Sequence, residues 1–131
     1  MEIRPLNVSE TSDLPAAFDI ATRWPADGIV TLLDGHITEV AGFAARSRLP
    51  SMCEARGFPL GGGLMSYGPH PGRWYGHASQ YVDKILKGAK PVDLPVEQPT
   101  EFELVINGKT AQTLGLSIPQ SVLIQAAEVV Q

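Results

Sequence analysis

The sequence predicts an α/β fold, a parallel sheet with helices on both faces, and three observations carry that expectation. Short runs of strand length alternate with segments whose apolar residues recur at helical spacing. One such run, GIVTLL from Gly28 to Leu33, is nearly continuous in apolar side chains, the pattern of a parallel strand covered on both faces. The joins of the long segment from Tyr81 to Asn107 are marked by chemistry: Gly88 stops a helix, and Pro91, Pro95 and Pro99 hold the following connection extended. At 131 residues one domain is the default, and 44% hydrophobic residues suffice for a core.

In chain order, Ile3, Leu6 and Val8 form a short extended run that Pro5 interrupts, which predicts an edge strand. Ser12 is placed to cap the next helix, with Asp13 in its first turn, Pro15 near its start and Leu14, Ala17, Phe18 and Ala21 as its buried stripe. Trp24 and Pro25 end it. After the Gly28–Leu33 strand, Asp34, Gly35 and His36 make a turn, and Ile37, Val40, Ala41 and Ala44 give a second helical stripe closed by Arg46 and Arg48. Leu49 to Cys53 is a third strand. Glu54 to Gly63, EARGFPLGGG, has the composition of a loop, and Leu64 to Tyr67 is a fourth strand.

A long helix then runs from about Pro71 to Lys87, with Ala78, Tyr81, Val82, Ile85 and Leu86 as a stripe facing a sheet. Beyond the proline strap, Phe102, Leu104 and Ile106 alternate with Glu103, Val105 and Asn107 in a fifth strand. Asn107 is suited to cap a short helix that Gly115 ends, and Pro119 opens a last helix carrying Val122, Leu123, Ala126 and Val130 on one face. The chain divides at the strap into an α/β lobe, 1–90, and a strap, strand and helical tail, 91–131.

Charge and motif content narrow the function. A net charge of -4, without a basic run, gives no footprint for nucleic acid or an anionic membrane surface. No segment approaches the roughly 18 apolar residues of a membrane helix, and the N-terminus has no uninterrupted apolar stretch of the kind a signal peptide carries. The single cysteine, Cys53, makes no internal disulfide, and at the end of an apolar strand it reads as a small buried residue rather than a nucleophile. His36, His70 and His77 lack metal-ligand spacing, so no metal is expected. Gly61, Gly62 and Gly63 precede a strand, where a phosphate cradle needs a helix N-terminus, and they read as a turn. Trp74, Tyr75, His77 and Tyr81 read as helix packing or an interface surface rather than a cofactor box. No cofactor and no enzymatic constellation is expected.

In an open parallel sheet ligands meet the loops at the carboxyl ends of the strands. Those loops carry Asp34 and His36, Glu54 and Arg56, and Tyr67, Gly68 and His70. Such a rim suits a small amphipathic solute, with carboxylates for an ammonium, Arg56 for a carboxylate, and Tyr67 or Phe58 against an apolar body.

The run YVDKILKGAKPVDLPVEQPTEFELVIN, with GGLMSYG before it and KTAQTLGLSIPQSVL after it, resembles the carboxyl-terminal part of solute-binding subunits of ATP-binding-cassette importers, in the group that includes aromatic amino-acid binders. The likeness is close from Gly62 onward and looser before Leu60. It implies a flavodoxin-like unit, a partial single lobe of a two-lobe periplasmic binding protein that lacks the family's first strand. The expected ligand is then a small molecule such as an amino acid or aromatic acid, bound at Asp34, Glu54, Arg56, Tyr67 and Gly68. An ABC permease is the implied partner. The resemblance implies a periplasmic site, whereas the N-terminus as written implies a cytoplasmic one if the chain is complete. Because in the family the tail packs on parts this chain does not carry, a homodimer through the C-terminal strand and tail is expected. A stand-alone interaction or regulatory module, or a remnant without a transport role, is the alternative.

Overall fold

The computed structural model describes all 131 residues except Leu33 and Asp34, and of Pro71, Arg73 and Trp74 it describes the backbone alone. Its core forms where the two amphipathic helices and the first strands meet. Helix α1 (Leu14–Arg23) buries Leu14, Ala17, Phe18 and Ala21, and α2 (Ile37–Arg46) buries Val40, Ala41 and Ala44, the two stripes expected from their spacing. These side chains pack with Cys53 and Phe58, and the Phe18 and Phe43 rings stack at 5.2 Å between centroids. Arg46 lies over the outer side of the Phe43 ring at 4.3 Å, a cation held at the helix C-terminus.

The start of α1 differs from the expectation. Ser12 lies in a 3₁₀ turn, Thr11–Asp13, and the carboxylate of Asp13 accepts the backbone N–H groups of Ser9 and Glu10, each at 3.0 Å. Those two bonds hold the Asp13 carboxyl below its ordinary pKa. The residues before this turn form no strand, and Ile3 is exposed.

Strands β1 (Ile29–Thr31), β2 (Ser51–Cys53), β3 (Met65–Pro69), β4 (Phe102–Asn107) and β5 (Ala126–Val130) form one sheet in that order. β1, β2 and β3 are parallel, as are β4 and β5, whereas β3 and β4 are antiparallel. The mainly parallel α/β architecture therefore stands. The one reversal follows helix α4 (Pro71–Leu86) and the strap, which together return the chain to the end of the sheet where β3 finished. β4 and β5 complete the same sheet as β1 to β3, so residue 90 marks the start of the strap and not the edge of a separate fold.

Four finer expectations are corrected. β1 is an edge strand with Val30 74% exposed, so its apolar run is not covered on both faces. The Glu54–Gly63 stretch contains a single-turn helix, α3 (Gly57–Leu60), which drives Phe58 completely into the core. The stripe of α4 does not face the sheet: Val82 and Leu86 are exposed, and the groove on this helix is shared with the strap instead. The tail is not one long helix, for a turn, α6 (Gln120–Leu123), is followed by β5, whose β-branched valines pair with β4 of the same chain.

Asn107 caps α5 (Gly108–Thr113) as expected, its side-chain oxygen accepting the Thr110 N–H at 2.8 Å. Its amide nitrogen also donates to the Pro59 carbonyl at 2.7 Å, which pins α3 to the end of β4. Gly63 faces the Phe58 ring so closely that a Cβ there would lie 2.2 Å from it, so the glycine run is a packing turn into β3.

Candidate functional site

The carboxyl ends of β2 and β3 and the amino end of the antiparallel β4 lie at one end of the sheet. The loop leaving β2 supplies Glu54 and Arg56, and the end of β3 supplies Tyr67, Gly68 and His70. Successive side chains of a strand point to opposite faces. By the register Ser66↔Val105, Gly68↔Glu103 and Val105↔Glu128, the positions Gly68, Glu103 and Glu128 share one face. Tyr67, paired with Leu104, belongs to the other.

On the first face Arg56 is the centre of the arrangement. One guanidinium nitrogen lies 2.7 Å from Glu103 Oε2, and the other donates to Glu128 Oε2. Planar guanidinium geometry favours two such partners at once. His70 Nε2 stands 4.0 Å from the second oxygen of Glu103. Glu54 accepts from the Cys53 thiol at 3.4 Å, and its carbonyl lies against Gly68, where a Cβ would approach to 2.1 Å. The rim thus gathers two carboxylates on one guanidinium, with Glu54 held beside Gly68 by its backbone.

On the other face Tyr67 stacks on Phe102, with centroids 5.5 Å apart and planes inclined by 20°, the diagonal pairing open to aromatic side chains in an antiparallel ladder. Both rings are about half exposed.

Of the residues expected at the site, the structure brings Glu54, Arg56 and Gly68 together and sets Tyr67 across the sheet from them. Asp34 lies outside the described residues. Phe58, offered as an apolar wall for a ligand, is wholly buried, and His36 instead shares a hydrogen bond of 2.9 Å with Thr11. Glu103 and Glu128 were missed. Glu103 read only as the polar half of an alternating strand, and Glu128 lay in a segment read as helix. The two β-branched valines that follow Glu128 were the available signal for the second.

Cys53 is buried, and burial pushes its thiol up to about 11, with the adjacent Glu54 carboxylate adding to the rise. A thiol so held is a poor nucleophile at neutral pH. Beside the rim, α4 and the strap enclose a groove of about 490 Å³. Tyr81 donates to the Pro95 carbonyl at 2.6 Å and His77 pairs with Glu97 at 3.0 Å, so the strap is clasped to the helix at two points.

Comparison with known proteins decides what this arrangement belongs to. Residues 1–130 match the family described as ABC transporter substrate binding protein. The chain belongs to that family. Among solved structures, this chain is similar to a conserved domain protein from Vibrio cholerae, at 26% identity and a TM-score of 0.86, over 95% of this chain and 43% of that one. It is also similar to an ABC domain in complex with L-Trp from Streptococcus pneumonia, at 31% identity and a TM-score of 0.83, over 94% of this chain and 44% of that one. A ligand-free, open substrate-binding protein with adhesive properties from Clostridium difficile, 16% identical with a TM-score of 0.64, shares the fold. No curated protein matches. The chain thus spans less than half the length of the solved relatives it matches. Substrate-binding proteins are not an enzyme class. Among the described residues no helix is long and apolar enough to cross a membrane.

Proposed function

We propose that this chain is the lobe of an ABC-importer solute-binding component that presents its rim to a small molecule of the amino-acid or aromatic-acid kind. The observation that supports this reading is the convergence of Glu54, Arg56 and Gly68 with Glu103, Glu128 and His70 at the strand ends where open α/β sheets bind ligands. Polar groups of the solute engage the charged face. Its apolar body lies across the end of the sheet toward Tyr67 and Phe102. The L-Trp of the Streptococcus relative is in keeping with a solute of this size and character. The partner in transport is an ABC permease and the site of action is the periplasm.

A single lobe covers one side of a ligand, whereas small-molecule sites enclose roughly 70% or more of the ligand surface. Affinity of the isolated chain is therefore weak, and a second surface completes the site. A second copy joined through β5 is one source of it, because β5 is the last strand in the sheet order among the described residues and a strand at a sheet's edge can template another. Light scattering on the purified chain tests that pairing, and a monomer at all concentrations removes it.

A thermal-shift screen over amino acids, aromatic acids and aromatic amines tests the binding reading, since a ligand specific for the native state raises its melting temperature by mass action. The expected result is a small upward shift for a subset of compounds, lost in Glu54→Ala. A shift that survives both Glu54→Ala and Tyr67→Ala would place binding elsewhere.

A further inference from the structure

We infer that the chain pairs with a second copy of itself by exchanging helices: α4 of one copy covers the open face of the other copy's sheet, and the reverse contact closes the pair about a twofold axis. The contact uses the face of the sheet and not its β5 edge, and it stands independently of the solute-binding reading.

The sheet has a covered face and an open one. Side chains of α1, α2 and α3 pack on the side of Ile29 and Cys53. Register places Val30, Met52 and Met65 on the opposite side, together with Tyr67 and Phe102. Near the start of α5 that side is covered, at Ile106, but toward β1 and the rim it is open: Val30 and Leu32 are about three-quarters exposed, and Tyr67 and Phe102 about half. Sheets with parallel strands bury both faces under helices, so a helix is the expected cover.

Helix α4 is the counterpart, for among the described residues it makes no extended contact with any strand. On a helix that turns about 100° per residue, Tyr75, Val82 and Leu86 line one side, and they are 76%, 55% and 82% exposed. His77 and Tyr81 lie on the opposite side, where their bonds to Glu97 and to the Pro95 carbonyl fasten the helix to the strap. So fastened, α4 is held off its own sheet, and the stripe it turns outward supplies what the open face of a second copy lacks. The stripe is ready for burial. Ser79 within it donates its hydroxyl to the Gly76 carbonyl at 2.7 Å, and Asp83 and Lys87 at its margin pair with each other at 2.8 Å.

The area matches what a stable dimer needs. At roughly 150–250 Å² for a fully exposed aromatic side chain and roughly 60–120 Å² for an aliphatic one, the exposed parts of Val30, Leu32, Tyr67 and Phe102 on the sheet and of the three α4 residues offer about 450–750 Å² of apolar surface per copy. Two reciprocal contacts remove about 900–1,500 Å² from water. Interfaces are roughly 60% apolar, so this corresponds to about 1,500–2,500 Å² in all, the size of a stable interface. A monomer rarely leaves that much apolar surface open.

Sedimentation of the full chain over a dilution series tests the exchange with two double variants, Val82→Glu, Leu86→Glu on the helix and Val30→Glu, Leu32→Glu on the sheet. All four positions are exposed in the single copy, so circular dichroism should show each variant folded. The unaltered chain is expected to be a dimer, and either variant alone should raise the dimer dissociation constant by about a hundredfold or more. Mixing the two variants should restore a heterodimer, because one of its two contacts then joins an unaltered helix to an unaltered sheet face. A contact through the β5 edge makes the opposite prediction, a dimer untouched by the helix variant. If a charged variant does not fold, Val82→Cys and Val30→Cys chains, each with Cys53→Ala, are mixed and treated with a short bismaleimide, and a product linking the two different chains is expected. A chain that is monomeric at every concentration, a dimer unchanged in the helix variant, a folded pair of variants that do not complement, or cysteine chains that do not link each overturn the inference, and each leaves the solute-binding reading to its own screen.

Discussion

Gly68 lies so close to the carbonyl of Glu54 that a single added carbon would stand 2.1 Å from the oxygen. β3 and the loop after β2 are thereby pressed together without a side chain between them, and Glu54 is set on the rim by backbone contact. Gly68→Ala should displace this loop and destabilise the chain by about 1–3 kcal/mol, the usual cost of overpacking. Chemical denaturation measures it, and an unchanged midpoint would show that the loop yields freely.

The amide of Asn107 carries two jobs, capping α5 through its oxygen and holding the Pro59 carbonyl through its nitrogen. Asn107→Ala removes both and leaves the buried Pro59 carbonyl with the longer bond from the Gly62 N–H, 3.2 Å, as its remaining recorded one. A loss of about 1–3 kcal/mol is expected, more than Thr113→Ala costs on the exposed face of the same helix. Equal losses for the two would deny the Pro59 contact its role.

For Cys53 the direction of the pKa shift fixes a pH dependence. Burial raises the thiol from 9.0 to about 11, so the unfolded chain ionises first as pH rises. The contribution to stability is complete below about pH 9 and falls away between there and about pH 11. Cys53→Ala should flatten this alkaline loss, and alkylation of the native protein at neutral pH should be slow. Rapid alkylation of folded protein would contradict the burial argument.

The clasp of the strap responds to acid. Glu97 is held below the ordinary carboxylate range, first by its hydrogen bond to His77 and then by Tyr81. A depressed folded pKa stabilises the clasp above the ordinary value of about 4.5 and is lost as pH falls through the lower folded value. Amide exchange in residues 95–100 should therefore quicken on acidification. Glu97→Gln should remove that pH dependence, and an unaltered profile in the variant would assign the effect to another group.

What the sequence by itself determined is what local chemistry decides. The stripes of α1 and α2 were legible because burial of one helical face is a matter of spacing, and Leu14, Phe18, Val40 and Ala44 occupy the core as that spacing requires. The Asn107 cap was legible for the same reason, since the N–H that its side-chain oxygen accepts lies three residues away. The strap was legible only in part: proline restricts the backbone without help from neighbours, but Pro91–Asp93 winds into a 3₁₀ turn where an extended run was expected. Glu54, Arg56 and Gly68 could be placed on one rim from the order of elements alone.

Only the tertiary structure decided the rest, and in each case the deciding partner is distant in sequence. The strand from Ala126 to Val130 becomes a strand because β4 offers an edge, and its short apolar run fits a helix equally well until that edge exists. The stripe of α4 meets the strap and not the sheet, because hydrophobic spacing says that a face will be covered but not by what. Tyr67 and Arg56 stand on opposite faces because pairing register, set by the reversal of β4, fixes which alternate positions look the same way. Arg56 finds its partners 47 and 72 residues along the chain, in Glu103 and Glu128, and charge pairing at that separation leaves no local pattern to read.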